Sequence, residues 1–225
     1  EFIGVKCGLM DQFASVTGKR NHAIKLDCQD LSYEYIPIDW SSYDLLLLNT
    51  NVKHSLASSA YNDRRESCEK GVAWVKAHIP DVKSLRDISL EQLEKYVFAK
   101  DKDVYYKCKF VVEENMRLQQ AAKALVENDF ALLGKLLFEA HWALSKEYEV
   151  SCPELDYLIQ VAQSNEYVVG ARMMGGGFGG CTINIIQKGK SQDFVNQVES
   201  AYEKKFGLAI SPIYIKLSDG TSIIN

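Results

Sequence analysis

Residues 173–181 read Met-Met-Gly-Gly-Gly-Phe-Gly-Gly-Cys, so five of the chain's 14 glycines fall within six positions. Glycine loses more backbone entropy on folding than any other residue. Such a cluster is tolerable where the backbone needs positive φ, or where a ligand must reach the main chain with no Cβ in the way. Successive unpaired N–H groups in such a loop form an anion-binding concavity, so the first chemistry to consider is phosphate binding. Gly175, Gly177 and Gly180 fit G-x-G-x-x-G, but a dinucleotide fingerprint needs a helix after the glycines. Cys181 to Gln187 follows instead, a β-branched run that reads as a strand. A P-loop would need Gly-Lys-Ser/Thr where the chain has Gly180-Cys181. The V-A-I-K, H-R-D and D-F-G elements of a protein kinase are absent. The bland alternative is a hairpin bend pressed against another backbone.

Two further segments carry side chains suited to chemistry. In Cys7-Gly-Leu-Met-Asp-Gln-Phe-Ala-Ser15 a single carboxylate, Asp11, opens a short apolar helix. An acid in a first helical turn is favoured by the helix dipole. Held in a semi-apolar pocket near a phosphate loop, it could instead orient or deprotonate an attacking hydroxyl, a service typically worth ~10²–10⁴-fold in rate. Asn51 to Arg65 leaves a strand, crosses a polar stretch and enters a helix bearing Arg64, Arg65, Glu66, Glu69 and Lys70. Polar groups between a strand end and a helix start suit a small polar ligand, and Tyr61 adds a rigid ring with one hydroxyl. Read blandly, the same residues are a helix start and a solvated charged face.

These groups need a frame. Ala23–Cys28 and Tyr33–Ile38 alternate as paired strands, with residues 18–21 read as a hairpin turn, and Leu45–Asn49 reads as a buried strand. Long helices follow. Ser89-x-x-Gln92 and Ser151-x-x-Glu154 both read as capping boxes. Apolar residues recur at helical steps over 105–127 and 130–147, an antiparallel pair broken at Asn128-Asp129. A strand over 167–171, the glycine loop, a strand over 181–187, a helix over 191–206 ending at Gly207 and a strand over 212–217 complete the chain. The order predicts an α+β sandwich, a sheet covered by helices on one side.

Composition narrows the class. The 225 residues carry a net charge of −4, which argues against a nucleic-acid or anionic-membrane partner. No apolar run approaches a membrane span. The six cysteines lie without C-x-x-C pairing or nearby histidines, so reduced thiols and a cytoplasmic location are expected, with no bound metal. His141, beside Ala140 and Leu144 in a helical run, reads as a packed or half-exposed imidazole rather than a ligand. Glu1 is not an initiator Met, and a cut polypeptide is the expected explanation.

Together the segments 7–13, 51–65, 148–156 (Tyr-Glu-Val-Ser-Cys-Pro-Glu-Leu-Asp) and 170–181 resemble the galactokinase branch of the GHMP small-molecule kinases, in that family's order. The resemblance runs from Glu1 to Asn225. It implies transfer of the γ-phosphoryl group of MgATP to the anomeric hydroxyl of α-D-galactose. Asp11 aligns with the family's active-site Asp, the proposed base that also contacts the sugar. Gly8 and Tyr61 align with sugar-contacting positions. Gly175, Gly176, Gly177, Gly179 and Gly180 align with the third GHMP motif beside the phosphates. The resemblance also implies a C-terminal GHMP domain over 43–225 and a strand-rich remnant of the N-terminal domain over 1–42. The family's sugar-gripping signature, its Gly-Leu-Ser-Ser-Ser phosphate loop, the catalytic Arg and the usual Mg²⁺ ligands are not in this sequence. The chain alone is therefore expected to be inactive, and an uncovered apolar face is expected to drive self-association. The alternative is a galactokinase-like sugar sensor without turnover. Galactose against a close analogue such as N-acetylgalactosamine is left open.

Overall fold

A four-stranded antiparallel sheet, in the order β4-β5-β3-β6, is the frame on which the candidate site is built. The computed structural model describes residues 8–52 and 57–222, apart from the side chains of 57–59. Cys7 and residues 53–56 of the sequence motifs lie outside the described residues. A short helix α1 (Met10–Thr17) precedes a separate hairpin, β1 (His22–Leu26) and β2 (Tyr33–Pro37). Strand β3 (Tyr43–Asn49) then enters the main sheet. Helices follow: α2 (Ala57–Lys76), α3 (Leu90–Leu93) with a wider π-turn over Glu94–Phe98, α4 (Lys102–Val126), α5 (Phe130–Lys146) and α6 (Pro153–Gln163). Strands β4 (Val168–Met173) and β5 (Cys181–Gln187), helix α7 (Ser191–Phe206) and strand β6 (Ser211–Ile215) end the fold.

Sequence period explains which face each strand buries. Leu46, Leu48 and Ile186 share one face and pack on Leu158 and Ile159 of α6 and on Phe194, Val198 and Tyr202 of α7. Helix α7 stops where Gly207 adopts the left-handed conformation expected of a terminating glycine. The other face is not bare, contrary to a sheet covered on one side only. Leu45 and Ile185, of opposite parity, meet Ala124, Phe130 and Leu133 where α4 turns into α5. That turn forms as its residues dictate: Asn128 takes positive φ and the Asp129 carboxylate accepts the Leu132 N–H.

Two local expectations are corrected. Residues 18–21 join α1 to β1, and the hairpin turn itself lies between Leu26 and Tyr33. The box at Ser89 forms with both hydrogen bonds, but the one at Ser151 does not. Cys152 is the N-cap, Pro153 occupies the first turn, and the Ser151 hydroxyl donates to the Asp156 carboxylate at 2.6 Å. A proline suits a helix start because its missing N–H would have no partner there. It shifts the start by one residue and frees Ser151 for another role.

The candidate active site around the glycine loop

The glycine loop joins β4 to β5 and is held at four points. At its entry the Met173 N–H donates to the Nδ1 atom of His141 (3.2 Å), and at its base the Met174 N–H donates to the Cys181 carbonyl (3.0 Å). In the middle the Phe178 N–H donates to the Val150 carbonyl at 2.7 Å. At the exit the Gly180 carbonyl accepts both the N–H and the hydroxyl of buried Thr50, each at 2.9 Å. Tyr202 of α7 holds Thr50 in turn, its hydroxyl donating to the Thr50 carbonyl at 2.9 Å.

The individual glycines then separate into two kinds. A Cβ on Gly177 would stand 1.9 Å from the Val150 carbonyl oxygen, at φ +87°. That position is the close backbone approach foreseen by the bland reading. Gly175, at φ +76°, faces open space, and Gly176 has only the Tyr61 ring near it, 3.9 Å from a hypothetical Cβ. The N–H groups of Gly175, Gly176, Gly179 and Gly180 donate to no acceptor among the described residues. Of these, Gly175 and Gly176 are exposed, and their amides on an open, Cβ-less surface fit an anion such as a nucleotide phosphate. Gly177 is thus fixed by packing, while Gly175 and Gly176 are available to a ligand.

The structure brings the Tyr61 ring to Gly176 of this loop. Its neighbour Arg64 departs from the solvated-face reading, with a side chain only 19% exposed. Its Nε donates to the Tyr148 carbonyl (2.7 Å) and its Nη2 to the Glu149 carbonyl (3.0 Å). Arg65, by contrast, is exposed and pairs with Glu69 one turn on. Burial beside Cys68 and Tyr61 pushes the Tyr148 hydroxyl above the ordinary phenol range, so it stays protonated.

Asp11 sits exposed in the first turn of α1, and Gly8 just before it has nothing within 4 Å of a Cβ position. The described contacts of α1 run to the hairpin and to residues 220 and 221. Phe13 packs edge-on to Tyr33, Tyr35 donates to the Thr17 carbonyl, and the Ser15 carbonyl accepts from Thr221. The described contacts therefore unite Tyr61 with Gly176 but include none between Asp11 and the loop. Among the described residues, no group of three or more His, Cys, Asp or Glu side chains could hold a metal ion.

Sequence reasoning missed the polar group behind the loop. His141, fully buried, faces Asp156, whose carboxylate also accepts the hydroxyls of Ser145 (2.7 Å) and Ser151 (2.6 Å). Burial pushes the imidazole down to about 4, opposed by the nearby Asp156 carboxylate. A neutral ring that accepts Met173 N–H at Nδ1 carries its proton at Nε2, directed to Asp156 (3.2 Å). The signals in the sequence are His141 itself, read without a partner, and the segment 148–156, which carries part of the resemblance but no assigned role.

Comparison with known proteins supplies the class. Residues 121–204 match the family model described as GHMP kinases C terminal. The fold is also that of mevalonate kinase from L. major, at a TM-score of 0.51 over 88% of this chain and 50% of that one, with 19% identity. Residues 121–204 therefore carry a GHMP kinase C-terminal domain. Over its whole length the chain is similar to galactokinases: 42% identical to that of Thermotoga maritima over 224 residues, all of this chain and 61% of the relative. The Clostridium beijerinckii galactokinase is 42% identical over 222 residues, 98% of this chain and 57% of that relative. The crystal structure of Lactococcus lactis galactokinase complexed with galactose superposes at a TM-score of 0.92 with 34% identity, covering 98% of this chain and 57% of that one. The chain thus spans about three fifths of the length of these curated relatives.

Proposed function

We propose that this chain is the C-terminal portion of a galactokinase, transferring the γ-phosphoryl group of MgATP to the anomeric hydroxyl of galactose. The observation that carries the reading is the glycine loop, with the exposed amides of Gly175 and Gly176 donating to no acceptor among the described residues and Tyr61 beside Gly176. The likeness to galactokinases over the whole chain supports the substrate. In this reading Gly175, Gly176, Gly179 and Gly180 border the phosphates. Tyr61 and Gly8 contact the sugar, and Asp11 orients the attacking hydroxyl and takes its proton. Residues 1–42 complete an N-terminal domain, and 43–225 form the C-terminal one. ATP is the co-substrate, with magnesium neutralising its phosphates; phosphoryl transfer depends chiefly on such positioning and charge stabilisation.

The chain by itself is inactive in this reading, because part of the cleft must come from outside it. Its apolar surface includes Met10 and Val16 of α1, 59% and 67% exposed, and self-association of the isolated chain follows from them. The test is incubation of the full-length protein with ATP and galactose, resolved by ³¹P NMR. A phosphate coupled to the anomeric proton supports the reading. ATP left intact with galactose bound would replace it with a sugar sensor, and phosphorylation at another hydroxyl would refute the assigned chemistry. A hexose panel that includes N-acetylgalactosamine ranks the substrates.

A further inference from the structure

Residues 147–151 offer no reacting group, yet three helices grip them and the glycine loop leans on them. From α2, Arg64 forks onto the Tyr148 and Glu149 carbonyls. From α4, buried Lys107 donates to the Glu147 carbonyl (2.8 Å) and to the Glu149 carboxylate (2.6 Å). From α6, Asp156 accepts the Ser151 hydroxyl. Glu149 is held at φ +55°, a left-handed backbone that is unfavourable for a non-glycine residue. Surroundings must over-determine such a conformation for it to persist. Its consequence is the placement of the Val150 carbonyl, which accepts the Phe178 N–H and fills the space beside Gly177.

We propose that Arg64 is a positioning residue for phosphoryl transfer: its guanidinium fixes residues 148–150, and Val150 thereby fixes the glycine loop in its reacting shape. The inference rests on the kinase reading of that loop. A planar guanidinium serves two carbonyls in fixed geometry, which a lysine ammonium, a point charge on a flexible stem, does not reproduce. Arg64 lies one helical turn after Tyr61 on α2, so one helix carries both the sugar-side ring and the support of the phosphate-side loop. Loss of the fork loosens the loop without removing any ligand contact.

The test compares Arg64→Lys and Arg64→Ala with the exposed neighbour Arg65→Ala. In the full-length protein, steady-state kinetics should show kcat reduced at least tenfold in both Arg64 variants. The KM for galactose should stay within about twofold, and Arg65→Ala should behave as wild type. In the 225-residue chain, hydrogen exchange of the Phe178 amide should quicken at least tenfold in Arg64→Lys and remain unchanged in Arg65→Ala. Full kcat in Arg64→Lys would overturn the proposal in favour of a simple charge effect. A raised KM for ATP at constant kcat would make Arg64 a ligand contact instead. Unchanged Phe178 exchange, or quickened exchange with intact kcat, would also overturn it. Should Arg64→Ala fail to fold, the lysine variant carries the test. Should wild type lack kinase activity, the kinase reading falls, and the exchange rates alone decide whether Arg64 holds the loop.

Discussion

The buried imidazole of His141 makes acid stability a direct readout of the polar group behind the loop. In an unfolded chain the ring titrates near its ordinary 6.5, whereas burial holds it near 4 in the fold. Between those values the unfolded state binds a proton that the folded state refuses. Stability therefore rises with pH across this window and is lost as pH falls through it. The full difference corresponds to about 3 kcal/mol, of which about 2 kcal/mol is gone between pH 7 and pH 5. For a chain of this size that is a fall of about 4–8 °C in melting temperature. Asp156 faces the ring and works against the shift, while the Arg172 and Lys146 charges add to it. The lowered carboxylates do not confuse the window: Asp27, hydrogen-bonded by Arg86, is held at about 2 and releases its contribution only below 3.8. The assay is urea unfolding of wild type and His141→Asn at pH 7, 6 and 5. The asparagine keeps an acceptor near Nδ1 for the Met173 N–H but does not titrate. Its stability should change with pH by about 2 kcal/mol less than wild type over this interval. Parallel profiles for the two proteins would refute the argument that the ring is buried neutral.

Two other outcomes follow from close backbone approaches. Gly177→Ala must displace the Val150 carbonyl, only 1.9 Å from the new methyl, so it should melt well below Gly175→Ala, whose methyl meets only open space. Equal melting of the two would show that the loop does not rest on Val150. Gly134→Ala puts a Cβ 1.9 Å from the Val169 carbonyl, where α5 lies directly on β4. A destabilisation of at least about 2 kcal/mol in urea is expected from such overpacking, and a wild-type midpoint would contradict the helix–strand contact.

Much of this architecture is legible in residue order, because it rests on local rules. The strand 181–187 and the helix 191–206 with its Gly207 stop form over the residues that period and capping indicate. So does the break at Asn128-Asp129. The errors arise where two local signals compete. At Ser151 a capping-box pattern meets Pro153, and the proline fixes the helix start while the serine turns to Asp156. What no local rule shows is the meeting of distant groups. Arg64 reaches carbonyls 84 and 85 residues onward, and His141 receives an N–H from 32 residues away. A charged helix face and an apolar helix each conceal one such residue. The glycine cluster was readable as unusual, but its division into a packed Gly177 and an open Gly175 depends on where Val150 lies.

The account's central claim is that Asp11 and the glycine loop serve one transferred phosphoryl group. The most direct measurement is kcat of Asp11→Asn in the full-length protein, beside its melting temperature. The account predicts a fall of roughly 10²–10⁴-fold with melting unchanged, since the Asp11 side chain is exposed and its substitution disturbs no packing. A variant that turns over galactose and ATP within threefold of wild type would contradict it.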